Sequence, residues 1–241
     1  MRETLFLFDL DGTLTRREIL PELALCLGVA DEMRLLTRLT LEGVLNFNQS
    51  LRLRFAILRS IPLPTIHKVV AAIPMEPQLV DFIRSWPQKC ALATGNVDVW
   101  IQPIADLLGC RVFCTQSSIG GQGSDALGKG IASNSGHSIA SYSLTHILDK
   151  GALARGLRKS RRLVVIGDSD NDLPMLREAD ISIAFGAAHA PLPHVQAEVN
   201  YVAEDVHALR NLLDHLAHIS PEKPLLLPDG AWLDIESFSA H

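Results

Sequence analysis

The sequence predicts an α/β protein, a doubly wound parallel sheet carrying a small helical domain inserted after the first strand. Three observations lead there. Runs of strand length recur at residues 5–8, 89–93 and 163–166, and each ends in a polar or glycine turn. From Pro77 onward strands alternate with amphipathic helices, the rhythm of βαβ units. Between the first two strands lie four helical segments and no strand.

Residues 5–8 (LFLF) are four consecutive apolar side chains, as in a strand buried on both faces. Asp9 follows, and Gly12 supplies a tight turn. Pro21 suits the first turn of a helix, Leu23, Ala24 and Leu27 give it an apolar stripe, and Gly28 ends it. Further helices are expected over 31–41, 47–61 and 64–72, separated by Glu42-Gly43 and by Pro62 and Pro64. In the third of these four, Phe47, Leu51, Phe55, Leu58 and Ile61 share one stripe at about 100° per residue, with Arg54 in its middle. Arginine is almost never buried unpaired. Arg54 therefore meets a buried acid or lines a cavity that takes an anion.

Residues 78–86 read as a helix, 89–93 as a strand, and Thr94-Gly95-Asn96 as the turn at its end. A helix over 99–108 and a strand over 111–115 follow. Residues 115–143 break the rhythm with eight serines and six glycines, and predict a long surface loop or a mobile hairpin. Within them GSDALGKG, residues 123–130, falls one residue short of a phosphate-binding loop. Gly130 stands where a hydroxyl for Mg²⁺ belongs and no buried strand leads in, so no nucleotide site is expected. Order returns at 144–148, and a helix follows Lys150. The strand over 163–166 ends in GDSDND, residues 167–172. A strand at 181–184, a helix at 193–197, a short strand at 200–203 and a helix at 206–218 complete the pattern. The tail after Pro221, with Pro224, Pro228 and Gly230, is expected to be irregular. The division is a core of 1–14 and 76–218, a helical domain of 15–75 and a tail of 219–241.

A chain of 241 residues can bury a sizeable core, and 47% hydrophobic with 20% charged residues is ordinary for a globular protein. A net charge of -5 argues against a general nucleic-acid or anionic-membrane surface. No apolar run approaches the roughly 20 residues of a membrane span. Asp9 interrupts the apolar stretch near the N-terminus, so no signal peptide is expected, and four cysteines then read as reduced thiols in the cytoplasm. Cys110 and Cys114 come nearest to a metal pair, but no second pair at zinc-ligand spacing follows, and buried thiols are expected. His207, His215 and His218 decorate the face of the last helix. Small-molecule chemistry is the default, and nothing in the sequence fixes an oligomeric state.

The candidate chemistry gathers at strand ends. Asp9 and Asp11, two residues apart, leave extended chain by the same face. Alone, the pair is a strand followed by an acidic turn, or two carboxylates joined by a hard divalent cation such as Mg²⁺. Thr94, Asp168 and Asp172 also end strands, and Lys150 precedes a helix. In a doubly wound sheet the carboxyl ends of the strands share one edge, so these groups converge.

The string LFLFDLDGTLT resembles the first motif of the haloacid dehalogenase-like hydrolases. DLDGT, Thr94 before Gly95, Lys150 and GDSDND resemble that family's four motifs in order, over most of the chain. The resemblance implies a Rossmann-like core with Asp9 as a nucleophile for phosphoryl groups and Asp11 as general acid and base. It implies Mg²⁺ held by Asp9, the main-chain carbonyl of Asp11, and Asp168. Thr94 and the Gly95 amide would donate to phosphoryl oxygens, where Lys150 would add positive charge and tether Asp9. Asn171 would reach substrate oxygens, and Asp172 would orient Lys150 or metal-bound waters.

Residues 8–29 and 41–58 closely resemble the corresponding stretches of phosphoserine phosphatases. That resemblance places Glu18 on a substrate ammonium and Arg54 on a substrate carboxylate, with Phe47 closing over the site. It implies Mg²⁺-dependent hydrolysis of a small phosphorylated metabolite, L-phosphoserine first. There are departures. Asn96 stands where glycine is usual, Ser169-Asp170 stands where small residues are usual, and the Ser/Gly-rich stretch is longer. They leave open another small amino or alcohol phosphate, phosphotransfer to an acceptor alcohol, or an inactive ligand-binding relative.

Overall fold

The computed structural model describes residues 2–119, 142–218, 225–226 and 232–233, and it is organised around β1 (Thr4–Phe8). On one side β1 pairs in parallel with β2 (Cys90–Val97), and on the other with β5 (Arg162–Gly167). Beyond β2 lie β3 (Arg111–Ile119), parallel, and β4 (Tyr142–His146), antiparallel. Beyond β5 lie β6 (Ile181–Ala184) and β7 (Tyr201–Val202), both parallel. The order β4-β3-β2-β1-β5-β6-β7 reverses direction between β1 and β5. Open α/β sheets leave a crevice at such a point, beyond the carboxyl ends of the strands.

The apolar run in β1 serves both faces of the sheet. Phe6 and Phe8 pack with Leu92, Ile166 and Phe82 in one core, and the Phe82 ring meets Phe6 edge-on at 5.1 Å. Leu7 points the other way, to Ala91, Val165 and Met175. This is period-two alternation with both faces covered.

Between β1 and β2 the chain forms α1 (Ile19–Leu27), α2 (Ala30–Leu41), α3 (Phe47–Leu58), α4 (Leu63–Ala71) and α5 (Pro77–Ser85). The first four pack on one another, and α5 lies against α10 (Val206–His218) in the core. Gly28 ends α1 with φ 68°, the left-handed C-terminal signal read from the sequence. Asn46 and Gln49 cap α3 reciprocally, side chain to backbone. The four helices hang on a narrow neck. Thr15 bridges Met75, Arg16 N donates to Pro74 O at 2.8 Å, and Glu76 N donates to Leu14 O at 2.8 Å. Phe55 of α3 reaches the core, stacking on Trp100 at 5.6 Å.

The remaining helices are α6 (Gln102–Leu108), α7 (Lys150–Arg158), α8 (Leu173–Leu176) and α9 (Pro193–Gln196). No helix of the described residues is long and apolar enough to cross a membrane. His207, His215 and His218 lie exposed on α10.

Several expectations need correction. Thr94-Gly95-Asn96 is not a turn, because β2 continues to Val97 with a register shift against β3 between Thr94 and Val97. The irregularity accommodates turn-prone residues without ending the strand. Of the long loop or hairpin expected over 115–143, the described ends take the hairpin form, with β3 reaching Ile119 and pairing antiparallel with β4 from Tyr142. Residues 120–141, including GSDALGKG, lie outside the described residues. In the tail, β8 (Leu225–Leu226) pairs antiparallel with β9 (Trp232–Leu233), so those two dipeptides are regular where an irregular tail was expected. Cys114 is buried but Cys110 is only partly so.

Candidate active site

The β1 register sets Phe8 opposite Leu92 and Ile166, so the next residue, Asp9, emerges between the ends of β2 and β5. Asp9 N donates to Ile166 O at 2.9 Å. The chain then turns at Gly12, whose φ is +81°, and a Cβ there would lie 2.7 Å from Asp168 Oδ2. Glycine is required on both counts. Thr13 Oγ1 donates to Asp168 Oδ1 at 2.7 Å and fixes that carboxylate.

Lys150 opens α7 behind its N-cap Asp149, whose Oδ1 accepts from Ala152 N. Its buried ammonium donates to Asp9 Oδ1 at 2.5 Å and Asp172 Oδ1 at 2.7 Å. Asp172 Oδ2 accepts from the amides of Asp168 and Ser169 and from Ser169 Oγ. One oxygen from each of Asp9, Asp168 and Asp172 lies within 4.8 Å of the other two. Three buried carboxylates thus face one lysine, and the site is short of positive charge. Burial and then the neighbouring Asp172 push the Asp9 carboxyl well above its usual range. The same two causes push Asp168 up to about 7. Burial pulls the Lys150 ammonium down, but Asp172 and Asp9 outweigh it and hold the group above its ordinary value.

A hard cation fits this donor set. Asp9 Oδ2, Asp168 Oδ2 and the Asp11 carbonyl accept no hydrogen bond from the described residues, whereas both oxygens of Asp172 are already engaged. All-oxygen ligands with a charge deficit suit Mg²⁺.

Asp11 is held at both oxygens. Ile19 N donates to Oδ1 at 2.8 Å, and Asn96 Nδ2 donates to Oδ2 at 2.5 Å. Burial raises its carboxyl to about 6 against those two donors. Thr94 Oγ1 accepts from Asn96 N at 3.2 Å and from Asn96 Nδ2 at 2.9 Å. Its own proton therefore remains to be donated into the cavity.

A cavity of about 240 Å³ joins these groups to the helices. Glu18, Phe47 and Arg54 line its helical side, and Asp9, Asp11 and Thr94 its floor. Phe47 sits over Gly95, where an added Cβ would lie 3.0 Å from Phe47 Cζ. Arg54 donates to Thr37 Oγ1 at 2.7 Å and Ser50 Oγ at 3.3 Å, both neutral, and pairs with no acid among the described residues. Of the two readings of Arg54, cavity lining is the one realised. An adjoining cavity of about 230 Å³ reaches Lys150 past Phe47, Gly95 and Asn171.

Every site residue named from the sequence lines one of these two cavities except Asp172, which lies buried behind Lys150 and bonds to it. Sequence reasoning missed Thr13, Thr37, Ser50 and Ser169. Thr13 was inside DLDGT, and Ser50 stands four residues before Arg54 on the same helical face. Thr37 comes from another helix and carried no signal.

Comparison with known proteins identifies the family. A family model described as haloacid dehalogenase-like hydrolase matches residues 6–177, and a second of the same description matches 153–209. The phosphoserine phosphatase of Methanocaldococcus jannaschii is 28% identical over 218 residues, covering 89% of this chain and 98% of that protein. That of Streptococcus thermophilus is 28% identical, covering 88% and 96%. Against the Archaeoglobus fulgidus phosphoserine phosphatase, 26% identical, the match covers 76% of this chain and 52% of that protein. Two solved structures share the fold. One is a haloacid dehalogenase-family hydrolase from Salmonella enterica serovar Typhi, with TM-score 0.66 and 21% identity, covering 84% of this chain and 68% of that one. The other is a phosphoserine phosphatase as an analogue of its phospho-aspartyl intermediate, with TM-score 0.64 and 24% identity, covering 91% and 100%. With a family match running from β1 through α8, this chain belongs to the haloacid dehalogenase-like hydrolases.

Proposed function

We propose that this chain is a Mg²⁺-dependent phosphoric monoester hydrolase that converts L-phosphoserine to serine and phosphate through an aspartyl-phosphate on Asp9. The observation that carries the reading is one cavity with the Lys150-bound Asp9 on its floor and Arg54, which forms no ion pair among the described residues, on its wall. Phosphate, carboxylate and ammonium then each have a counterpart: the floor, Arg54 and Glu18. The first relatives named above are phosphoserine phosphatases, which supports the same substrate.

The Asp9 carboxylate, one oxygen of which is held by Lys150, attacks phosphorus. Lys150, Thr94 Oγ1 and the Gly95 amide donate toward the phosphoryl oxygens, and Asn171 toward the substrate at the rim. As the ester oxygen departs, Asp11 gives it a proton, and serine leaves. Asp11 then takes a proton from water, which attacks the aspartyl-phosphate and releases phosphate and free Asp9. Asp9, the Asp11 carbonyl and Asp168 would hold Mg²⁺, which when bound offsets repulsion between the attacking carboxylate and the phosphate. Asp172 fixes Lys150 rather than the metal. Residues 15–75 act as a cap, with Phe47 over Gly95, and the enzyme works in the cytoplasm.

A second reading, another small amino or alcohol phosphate, is favoured by Asn96. Its buried side chain occupies wall space where the resembled phosphatases have glycine. A panel of small phosphate esters with Mg²⁺, assayed for released phosphate, decides between them. Asp9→Asn should abolish turnover, and acid-quenched wild-type protein should carry phosphate on Asp9. Turnover of other esters with none of L-phosphoserine would hand the site to the second reading. Turnover by Asp9→Asn would end both.

A further inference from the structure

The geometry points to Asn96 as a positioning residue of the reaction, one that holds the phosphate-facing hydroxyl and the general acid in register through a single carboxamide. This rests on the phosphatase reading above, though not on which ester is hydrolysed. Asn96 is 3% exposed and sits inside the β2 irregularity. Its one Nδ2 group bonds to both Thr94 Oγ1, at 2.9 Å, and Asp11 Oδ2, at 2.5 Å. Because Nδ2 and the Asn96 backbone N–H both donate to Thr94 Oγ1, the Thr94 proton is left pointing away from them, toward the cavity.

The other end of the carboxamide has no partner among the described residues. Asn96 Oδ1 is buried and accepts no hydrogen bond from them, which is costly for a carbonyl oxygen. Turning the amide over would give Oδ1 two neighbours but would set it against the lone pairs of Asp11. The side chain therefore keeps an unpaired oxygen in order to present donors to two reacting groups. A residue that merely filled space would tolerate either orientation.

Two variants separate positioning from filling. Asn96→Asp keeps the volume but replaces the donor with acceptors, which turn the Thr94 proton inward and repel Asp11. Asn96→Ala removes both volume and donor. Initial rates are measured with Mg²⁺ on L-phosphoserine, an alkyl ester, and on p-nitrophenyl phosphate, whose leaving group needs little protonation. Positioning predicts that Asn96→Asp is the worse variant, losing about 100-fold in kcat on the alkyl ester, with Asn96→Ala losing about ten-fold, the scale of hydrogen bonds to charged groups. Both should lose less on the aryl ester. An Asn96→Asp enzyme near wild type beside a defective Asn96→Ala would make the residue a filler and overturn the proposal. Should Asn96→Asp not fold, Asn96→Ala decides alone, and equal losses on the two esters overturn it. If the wild type prefers another alkyl phosphate, the comparison runs on that ester. Turnover by Asp9→Asn would instead remove the phosphatase reading itself.

Discussion

Asp172 Oδ1 lies 2.7 Å from Lys150 Nζ, and the other oxygen of the same carboxylate accepts from two amides and a hydroxyl. A buried acid gripped on one side by backbone and on the other by a cation acts as a strut for that cation. Removing Asp172 leaves the amides of Asp168 and Ser169 without that acceptor, which typically costs about 1–3 kcal/mol for a buried group, while Lys150 keeps Asp9. Asp172→Ala should lose stability on that scale in urea unfolding of the metal-free protein. An unmoved midpoint would show that the pair contributes nothing.

Metal binding should depend on pH with a definite sign. The Asp168 carboxyl is raised from 3.8 to about 7, so below about pH 7 the metal-free protein keeps a proton there that Mg²⁺ must displace. Affinity for Mg²⁺ should therefore climb as pH rises toward about 7 and level off above it, with protons released on binding in calorimetry. The same raised value means that folding binds a proton between pH 3.8 and about 7, so the metal-free fold loses stability as pH rises through that window. An affinity independent of pH would contradict the ligand assignment.

Gly12→Ala tests the turn. A residue with a Cβ in the left-handed region costs about 1–2 kcal/mol, and this Cβ also meets Asp168 Oδ2 at 2.7 Å. The variant should fold with a lowered melting temperature and a weakened affinity for Mg²⁺. Unchanged Mg²⁺ affinity would mean that Asp168 is not a ligand.

Arg54→Ala tests the substrate. Stranding a carboxylate that had been paired costs about 2–5 kcal/mol, so kcat/KM for L-phosphoserine should fall by roughly 30-fold or more. An aryl phosphate without a carboxylate should be nearly unaffected. Equal losses on both would make Arg54 a structural residue of the helical unit.

The core was legible because its strands advertise themselves. LFLF can be buried on both faces only in a covered sheet, and the acids that follow it fall at the strand end by register alone. Arg54 was legible as a violation of its own helix stripe. Thr94-Gly95-Asn96 was misread because its composition is that of a turn, while pairing with β3 carries the strand on to Val97. Thr37 was invisible. Its role as an acceptor for Arg54 comes from the packing of α2 on α3, which no local pattern records. The β8–β9 pairing was hidden because its two apolar dipeptides are too short to read as strands and are separated by Pro228 and Gly230.

The bond from Ile19 N to Asp11 Oδ1 spans eight residues, and the neck at Leu14, Arg16, Pro74 and Glu76 is crossed by backbone bonds in both directions. Between the acid and the first helix there is consequently no slack. Arg16 and Arg17, which look like a linker, form a spacer of fixed length. Adding or deleting one residue there would shift Ile19 N relative to Asp11 Oδ1 and break the bond. Swapping the helical unit with that of a related enzyme is therefore best done downstream of Ile19, where the bond from Ile19 N to Asp11 is left intact.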